Sequence, residues 1–233
     1  MNTCIVDFRI SDEEISSLLK LNLDILLCPP CDNLYSAVCG HPDMQLFILN
    51  KKNIIVQKNL DPKLVHSLKE KHINILLSNA SLTEKYPLDI ILNCVILGDL
   101  FMHNLKYTDK TILDSLNSSI KRISVNQGYT KCSTAIISKN AVMTSDKCIA
   151  KALLENKVEV LFLPPGDILL PDLAYGFIGG ACGLLDYNNL AFFGNINRYK
   201  YGSEVKHFLR KHNIEAYCLS DDKLSDRGTL MCI

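Results

Sequence analysis

Thiols, histidines and carboxylates are spaced along this chain so that several kinds of chemistry can be read from them. In Lys131-Cys132-Ser133 a thiol stands beside a cation, and a thiol attacks or binds metal only as the thiolate, which a nearby positive charge favours. Adjacent residues of an extended strand point to opposite faces, which works against that pair, and a free cysteine also serves as a small buried hydrophobe. His41-Pro42-Asp43 offers an acid or base with a carboxylate two residues on, or else a turn in which Pro fixes the backbone and Asp accepts a local hydrogen bond. Cys28-Pro29-Pro30-Cys31 has the spacing of a redox dithiol, but the sequence continues DNLYSAVCGH, without the helix that would stabilise a thiolate. Cys28, Cys31, Cys39 and His41 are zinc-type ligands at an atypical spacing, so no metal is assigned.

The elements that must position these groups come as a repeat. QLFIL, the turn NKKN and IIVQ precede a helix opened at Asp61-Pro62 and the strand INILL. Pro at the first helical position loses no needed hydrogen bond. DIILNCVILGDLFMHN, a helix from about Asp109 to Asn117 and IKRISV repeat the order, with Asp109 or Thr108 as cap. TAIISKNAVMTS, DKCIAKALLEN and VEVLFL repeat it again, with Ile149, Ala152 and Leu153 on one helix face. GACGLLDYNNLAFFG, a helix from about Ser203 to His212 carrying Val205, Phe208 and Leu209, and IEAYCL form a fourth copy. The chain ends in the lone strand RGTLMCI and begins with CIVDF, the helix SDEEISSLLK and LDILLCPP, so the two ends joined make a fifth unit. Ser11 and Glu14 form a capping-box pattern at that helix. The reading is a single α/β domain over 1–233 with units at about 35–79, 88–126, 129–165, 176–220, and 221–233 plus 1–34. Pairing the last strand with the first ties down both termini.

Composition narrows the partners. Lys plus Arg total 25 and Asp plus Glu total 25, so there is no basic excess to neutralise nucleic-acid phosphates. No apolar stretch reaches the roughly 18 residues of a membrane span, and charge arrives at Asp7 and Arg9 before a secretory signal could form. The expected setting is cytoplasmic, with the ten cysteines reduced and mostly buried. No G-x-G-x-x-G or Walker sequence follows a strand, and no cofactor is expected. His66, His72, His207 and His212 fall on or beside outer helices and receive no role.

Gly40-His41-Pro42-Asp43-Met44-Gln45, Gln127-Gly128-Tyr129-Thr130-Lys131-Cys132-Ser133 and Gly176-Phe177-Ile178-Gly179-Gly180, together with the five units, make the chain resemble the pentein, or guanidino-modifying enzyme, superfamily, and most of all an uncharacterised family of that fold. The resemblance implies a five-unit α/β propeller closed by its terminal segments. It implies a site on the axis, where the segments entering the hairpins converge. These carry His41 and Asp43, Asn93 and Cys94, Lys131 to Ser133, Gly179 to Cys182, and Asp226, Arg227 and Cys232. The superfamily's enzymes attack a guanidinium carbon with a cysteine of the fifth unit, a position that Cys232 matches, and Asp43 or Asp226 could hold the substrate's charge. Their fourth-unit histidine has no counterpart in FIGGACGLL, which leaves His41 as substitute, while Asn93, Lys131, Cys132, Ser133 and Asp226 are expected to bind ligand. The superfamily also contains a non-catalytic ribosome anti-association factor, so two functions follow: a small guanidino or amino-acid-like ligand, with cysteine-dependent hydrolysis, or binding without chemistry.

Overall fold

The computed structural model describes residues 2–233. In chain order the elements are β1 (Thr3–Asp7), α1 (Asp12–Lys20), β2 (Asp24–Cys28), the single turn α2 (Pro42–Gln45), β3 (Leu46–Asn50), β4 (Asn53–Val56), α3 (Pro62–Glu70) and β5 (Asn74–Leu77). They continue with β6 (Val95–Leu97), β7 (Leu100–His103), α4 (Lys110–Ser115), β8 (Lys121–Ser124), β9 (Thr134–Ser138), β10 (Ala141–Thr144), α5 (Lys147–Glu155) and β11 (Glu159–Phe162). The last are β12 (Cys182–Leu184), β13 (Asn189–Phe192), α6 (Gly202–Lys211), β14 (Glu215–Cys218) and β15 (Met231–Cys232).

Among the described residues the strands form five separate three-stranded sheets, none closed on itself. Four share one plan: a hairpin strand runs antiparallel to the middle strand, and a helix crosses from the middle strand to a parallel outer one. The plan follows from the chain, since a two-residue turn can join only antiparallel strands and a parallel partner needs a crossover. The fifth sheet is assembled from both ends, with β15 antiparallel to β1 and β2 parallel to it.

The helix starts lie where the caps place them. Asp61, Asp109 and Asp146 each accept hydrogen bonds from the first-turn backbone, and Ser11 and Glu14 complete the capping box. Each such cap contributes about 1 kcal/mol. Ile149 and Leu153 of α5 are buried as expected, with Ala152 partly buried against the same cluster, and Ala150 is buried as well. Val205, Phe208 and Leu209 bury the inner face of α6.

Five apolar clusters glue successive units. Phe47 and Ile55 pack with Phe101 and Ile112, and Val95 and Met102 pack with Val142 and Ile149. Met143 joins Phe192, Phe193 joins Val6 and Leu18, and Ile5 and Met231 join Leu46 and Ile54. Fully burying one such side chain stabilises by about 1.5–3 kcal/mol, so these seams are the main source of cohesion between units. They also fix where the hairpin entrances lie: β12 packs beside both β9 and β15, and β6 beside β9.

Candidate functional site

The segments entering the hairpins meet in a buried polar cluster. Asp43 and Cys132 come from the first and third units, and the Cys132 thiol donates toward both Asp43 oxygens at 3.1 and 3.2 Å. Asn93, from the second unit, ties the two together. Its Oδ1 accepts from the backbone N–H of Lys131 at 2.7 Å and of Cys132 at 3.2 Å, while its Nδ2 lies 3.2 Å from Cys132 Sγ and donates to the Asp43 carbonyl at 3.1 Å. The fifth unit adds Thr229, whose Oγ1 lies 2.8 Å from Asp43 Oδ2 and 2.8 Å from the Gly179 carbonyl and accepts from Lys131 Nζ at 3.0 Å.

A second carboxylate stands behind His41. Asp226 accepts from the backbone N–H of Phe177 at 2.8 Å and of Gly228 at 3.0 Å. His41 is 1% exposed, and among the described residues neither of its ring nitrogens has a hydrogen-bond partner. Nδ1 lies 3.9 Å from Asp226 and Nε2 3.9 Å from Asp7. Asp7, at the end of β1, is itself held by Arg9, whose Nε and Nη2 reach its two oxygens at 2.9 and 2.5 Å while its Nη1 donates to the Ser36 carbonyl. Such forked pairing fixes geometry as well as charge.

Backbone shape makes this packing possible. Gly228 has φ +67°, and a Cβ there would fall 2.1 Å from His41 Cβ. A Cβ on Gly180 would fall 1.8 Å from an Asp226 oxygen. Thr229 follows with φ +69°, a strained conformation for a β-branched residue that costs about 1–3 kcal/mol and sets its hydroxyl on Asp43.

Burial dominates the electrostatics. It pushes the Cys132 thiol well above its ordinary pKa, reinforced by the Asp43 charge. It raises Asp43 against the pull of Lys131, raises Asp226 against the pull of His41, and lowers His41 despite Asp226 and Asp7. At neutral pH Cys132 is therefore a thiol and His41 a neutral imidazole.

Two cavities flank the cluster. His41, Cys132 and Asp226 line one of about 330 Å³ walled by Tyr35, Tyr129 and Phe177. Lys131 and Thr229 line the other, of about 210 Å³, with Phe47, Cys94 and Met231. Lys131 and Cys132 thus face different cavities, the separation expected of adjacent residues, although the segment is a turn rather than a strand. At the rim of the larger cavity Tyr129 donates to Asp89 at 2.5 Å, with the Tyr35 hydroxyl 3.5 Å from its own.

The remaining expected residues are placed differently. Cys232 forms a disulfide with Cys4, its register partner on β1, and packs with Ile15 and Leu18 beneath α1, lining neither cavity. The fifth-unit thiol expected as nucleophile is thus held in a disulfide, and the expectation that the cysteines are reduced does not hold for Cys4 and Cys232. Ser133 is buried with its hydroxyl unpartnered, and it lines neither cavity. Asn93 and Asp43 stand behind Cys132 rather than at a cavity wall. Among the described residues Cys28, Cys31 and Cys39 belong to no cluster with metal-ligand spacing; the one that exists is His41, Asp43 and Cys132.

A family described as of unknown function, DUF6873, matches residues 5–231. The chain belongs to that family. No curated protein matches its sequence. Among solved structures it is similar to DDAH from Pseudomonas aeruginosa, a mutant complexed with citrulline, at 10% identity and a TM-score of 0.55, with 94% of this chain and 92% of that one covered. It is similar to inosamine-phosphate amidinotransferase from Streptomyces griseus at 12% identity and a TM-score of 0.58, covering 90% and 74%. It is also similar to C. jejuni agmatine deiminase with substrate bound, at 12% identity and a TM-score of 0.53, covering 99% and 92%. These are guanidino-modifying enzymes of the pentein fold, and the likeness bears out that fold for this chain. Among the described residues no helix is long and apolar enough to cross a membrane.

Sequence reasoning missed Thr229, Asp7, Tyr35 and Tyr129. Asp7 carried a signal: it ends the otherwise apolar run CIVDF and has Arg9 two residues on. Thr229 carried one only in following a glycine.

Proposed function

We propose that the five units form a closed propeller and that the larger axial cavity binds a small cationic ligand of the guanidino or amino-acid type. The observation that carries the reading is Asp226. It is a fully buried carboxylate at the cavity wall, and among the described residues its one ion-pair neighbour is His41, which burial keeps neutral. A buried carboxylate without a cation costs several kcal/mol, and a guanidinium arriving between the faces of Tyr35, Tyr129 and Phe177 would supply the charge. Aromatic faces add cation–π attraction of about 0.5–2 kcal/mol each.

A guanidinium held by Asp226 stands beside the sulfur of Cys132, which lines the same wall. Its positive charge would favour the thiolate that burial now suppresses, with Asp43 taking the proton. Attack of sulfur on the guanidinium carbon, loss of an amine that takes the proton from Asp43, and attack on the thiouronium carbon by a water that gives its proton to neutral His41 would yield a urea product, the proton then passing from His41 to the released sulfur. Cys132, not Cys232, is the nucleophile in this reading. The raised thiol pKa supports a second reading, in which the cavity binds without chemistry.

The test is a thermal-shift panel of arginine, agmatine, citrulline and related compounds with EDTA present, followed by assay of the binders for ammonia or amine release. A cationic binder should raise the unfolding midpoint of the native chain and leave that of Asp226→Asn unmoved. No shift with any compound at millimolar concentration overturns the binding reading. A shift without product release decides for binding alone.

A further inference from the structure

We propose that His41, Asp43 and Cys132 form a three-ligand site for a zinc-type divalent cation. One ligand atom from each lies within 4.8 Å of the others, and all three side chains are buried. The set is chemically apt: thiolate, imidazole and carboxylate are the zinc donors, and the thiolate and carboxylate together balance the ion's two charges. His41 gives the independent indication. It is a fully buried imidazole, neither nitrogen of which is hydrogen-bonded among the described residues, and a buried polar atom left unmet destabilises the fold. The geometry that Gly228 imposes holds the ring there, since no side chain larger than hydrogen fits behind it.

The surroundings match those of metal ligands, whose outer partners orient them and tune their basicity. His41 has a carboxylate on either side, Asp226 at 3.9 Å from Nδ1 and Asp7 at 3.9 Å from Nε2, so whichever nitrogen binds, the other can direct its proton to an acid after a small rotation. The Thr229 hydroxyl lies 2.8 Å from one Asp43 oxygen, and Asn93 Nδ2 lies 3.2 Å from the sulfur. Binding displaces the thiol proton from the Cys132–Asp43 contact, so one proton leaves as the metal–sulfur bond forms. The ligand atoms must close by about an ångström to reach zinc distances of about 2.0–2.3 Å. Cys132 and His41 line the larger cavity, so a fourth coordination position would face it. The inference stands apart from the guanidino reading: Asp226 holds the organic cation there and is not a metal ligand here. An ion on Cys132 would, however, keep that sulfur from acting as nucleophile.

The full-length chain, stripped with chelator and kept free of organic ligands, is titrated with Co²⁺ and then Zn²⁺. One Co²⁺ per chain should bind with a sulfur-to-cobalt charge-transfer absorption that Zn²⁺ abolishes. Cys132→Ser should lose the absorption, Asp43→Asn and His41→Gln should bind at least about 100-fold more weakly, and Thr229→Val about 10-fold more weakly. The double variant Cys148→Ser/Cys218→Ser, which removes the two exposed free thiols, should keep the absorption. Circular dichroism verifies that each variant is folded, and the conservative Asp43→Asn serves if Cys132→Ser is not. Absence of saturable Co²⁺ binding by the native chain overturns the site, as does a charge-transfer absorption that survives in Cys132→Ser or disappears in the surface double variant.

Discussion

Breaking the Cys4–Cys232 bond tests both the closure of the chain and the choice of cysteine. The bond joins residues 228 apart in sequence, so it restrains nearly the whole unfolded chain. In the chain-entropy treatment the stabilisation grows with the logarithm of loop length and reaches about 5 kcal/mol for a loop of this size. Native-state strain and residual unfolded-state structure would lower the measured value. Cys4→Ala/Cys232→Ala leaves the β1–β15 pairing to hold on its backbone bonds and on the apolar packing of Leu230 and Met231. Urea unfolding of the oxidised chain, the chain in reductant and the double variant should place the last two together and several kcal/mol below the first. Equal midpoints for all three would refute the argument that the bond spans a loop that unfolding must otherwise release. The same double variant carries a functional arm: with Cys132 at the cavity wall and Cys232 beneath α1, any ligand-induced shift or turnover should survive it. Its loss with the fold intact would return the reaction to Cys232.

Three further outcomes follow from the same packing. Burial lowers the His103 pKa to about 4, against about 6.5 in an unfolded chain, so the unfolded state takes up a proton first. The stability this residue contributes is full above about pH 6.5 and falls by about 3 kcal/mol as pH drops to about 4, a slope in urea midpoints that His103→Gln should flatten. Gly228→Ala combines a φ of +67° with a Cβ 2.1 Å from that of His41, and should lower stability by more than the roughly 1–2 kcal/mol of the left-handed backbone alone, measured by thermal melting. Deleting Leu230–Ile233 removes β15 and a buried leucine of the seam between the fourth and fifth units, and should abolish cooperative unfolding if the seam supports the whole fold.

The fold was legible wherever its signal was local. Asp61-Pro62, Asp146 and Ser11 with Glu14 each mark a helix start, because a cap acts on backbone within four residues of it. Lys139-Asn140 marks a hairpin for the same reason. Half of the site was legible too: His41, Asp43, Asn93, Cys132 and Asp226 converge because they enter hairpins or the closing strand, and repeat position alone says where those lie. What eluded the sequence depends on partners far along the chain. Asp7 meets His41, and Thr229 meets Asp43 across 186 positions, a contact no spacing rule encodes. The pairing of Lys131 with Thr229 and of Asn93 with Cys132 is of the same long-range kind.

Cys232 and Cys132 show why convergence on an axis does not by itself select a nucleophile. Both stand near a hairpin or closing strand, and both could have faced inward. On the closing strand, however, side chains alternate, and the pairing that sets Cys232 opposite Cys4 commits it, with Leu230, to the helix-covered side, while Met231 takes the other face, toward Leu46 and Ile54. A one-residue slip would exchange these faces, but it would also push Met231 away from Leu46 and Ile54 and separate the two sulfurs. Apolar burial at the seam therefore keeps Cys232 on the side away from both cavities. In the proposed reading the chemistry then centres on Cys132, which has a carboxylate in contact, an asparagine fixing its backbone and, among the described residues, an unpartnered histidine within reach.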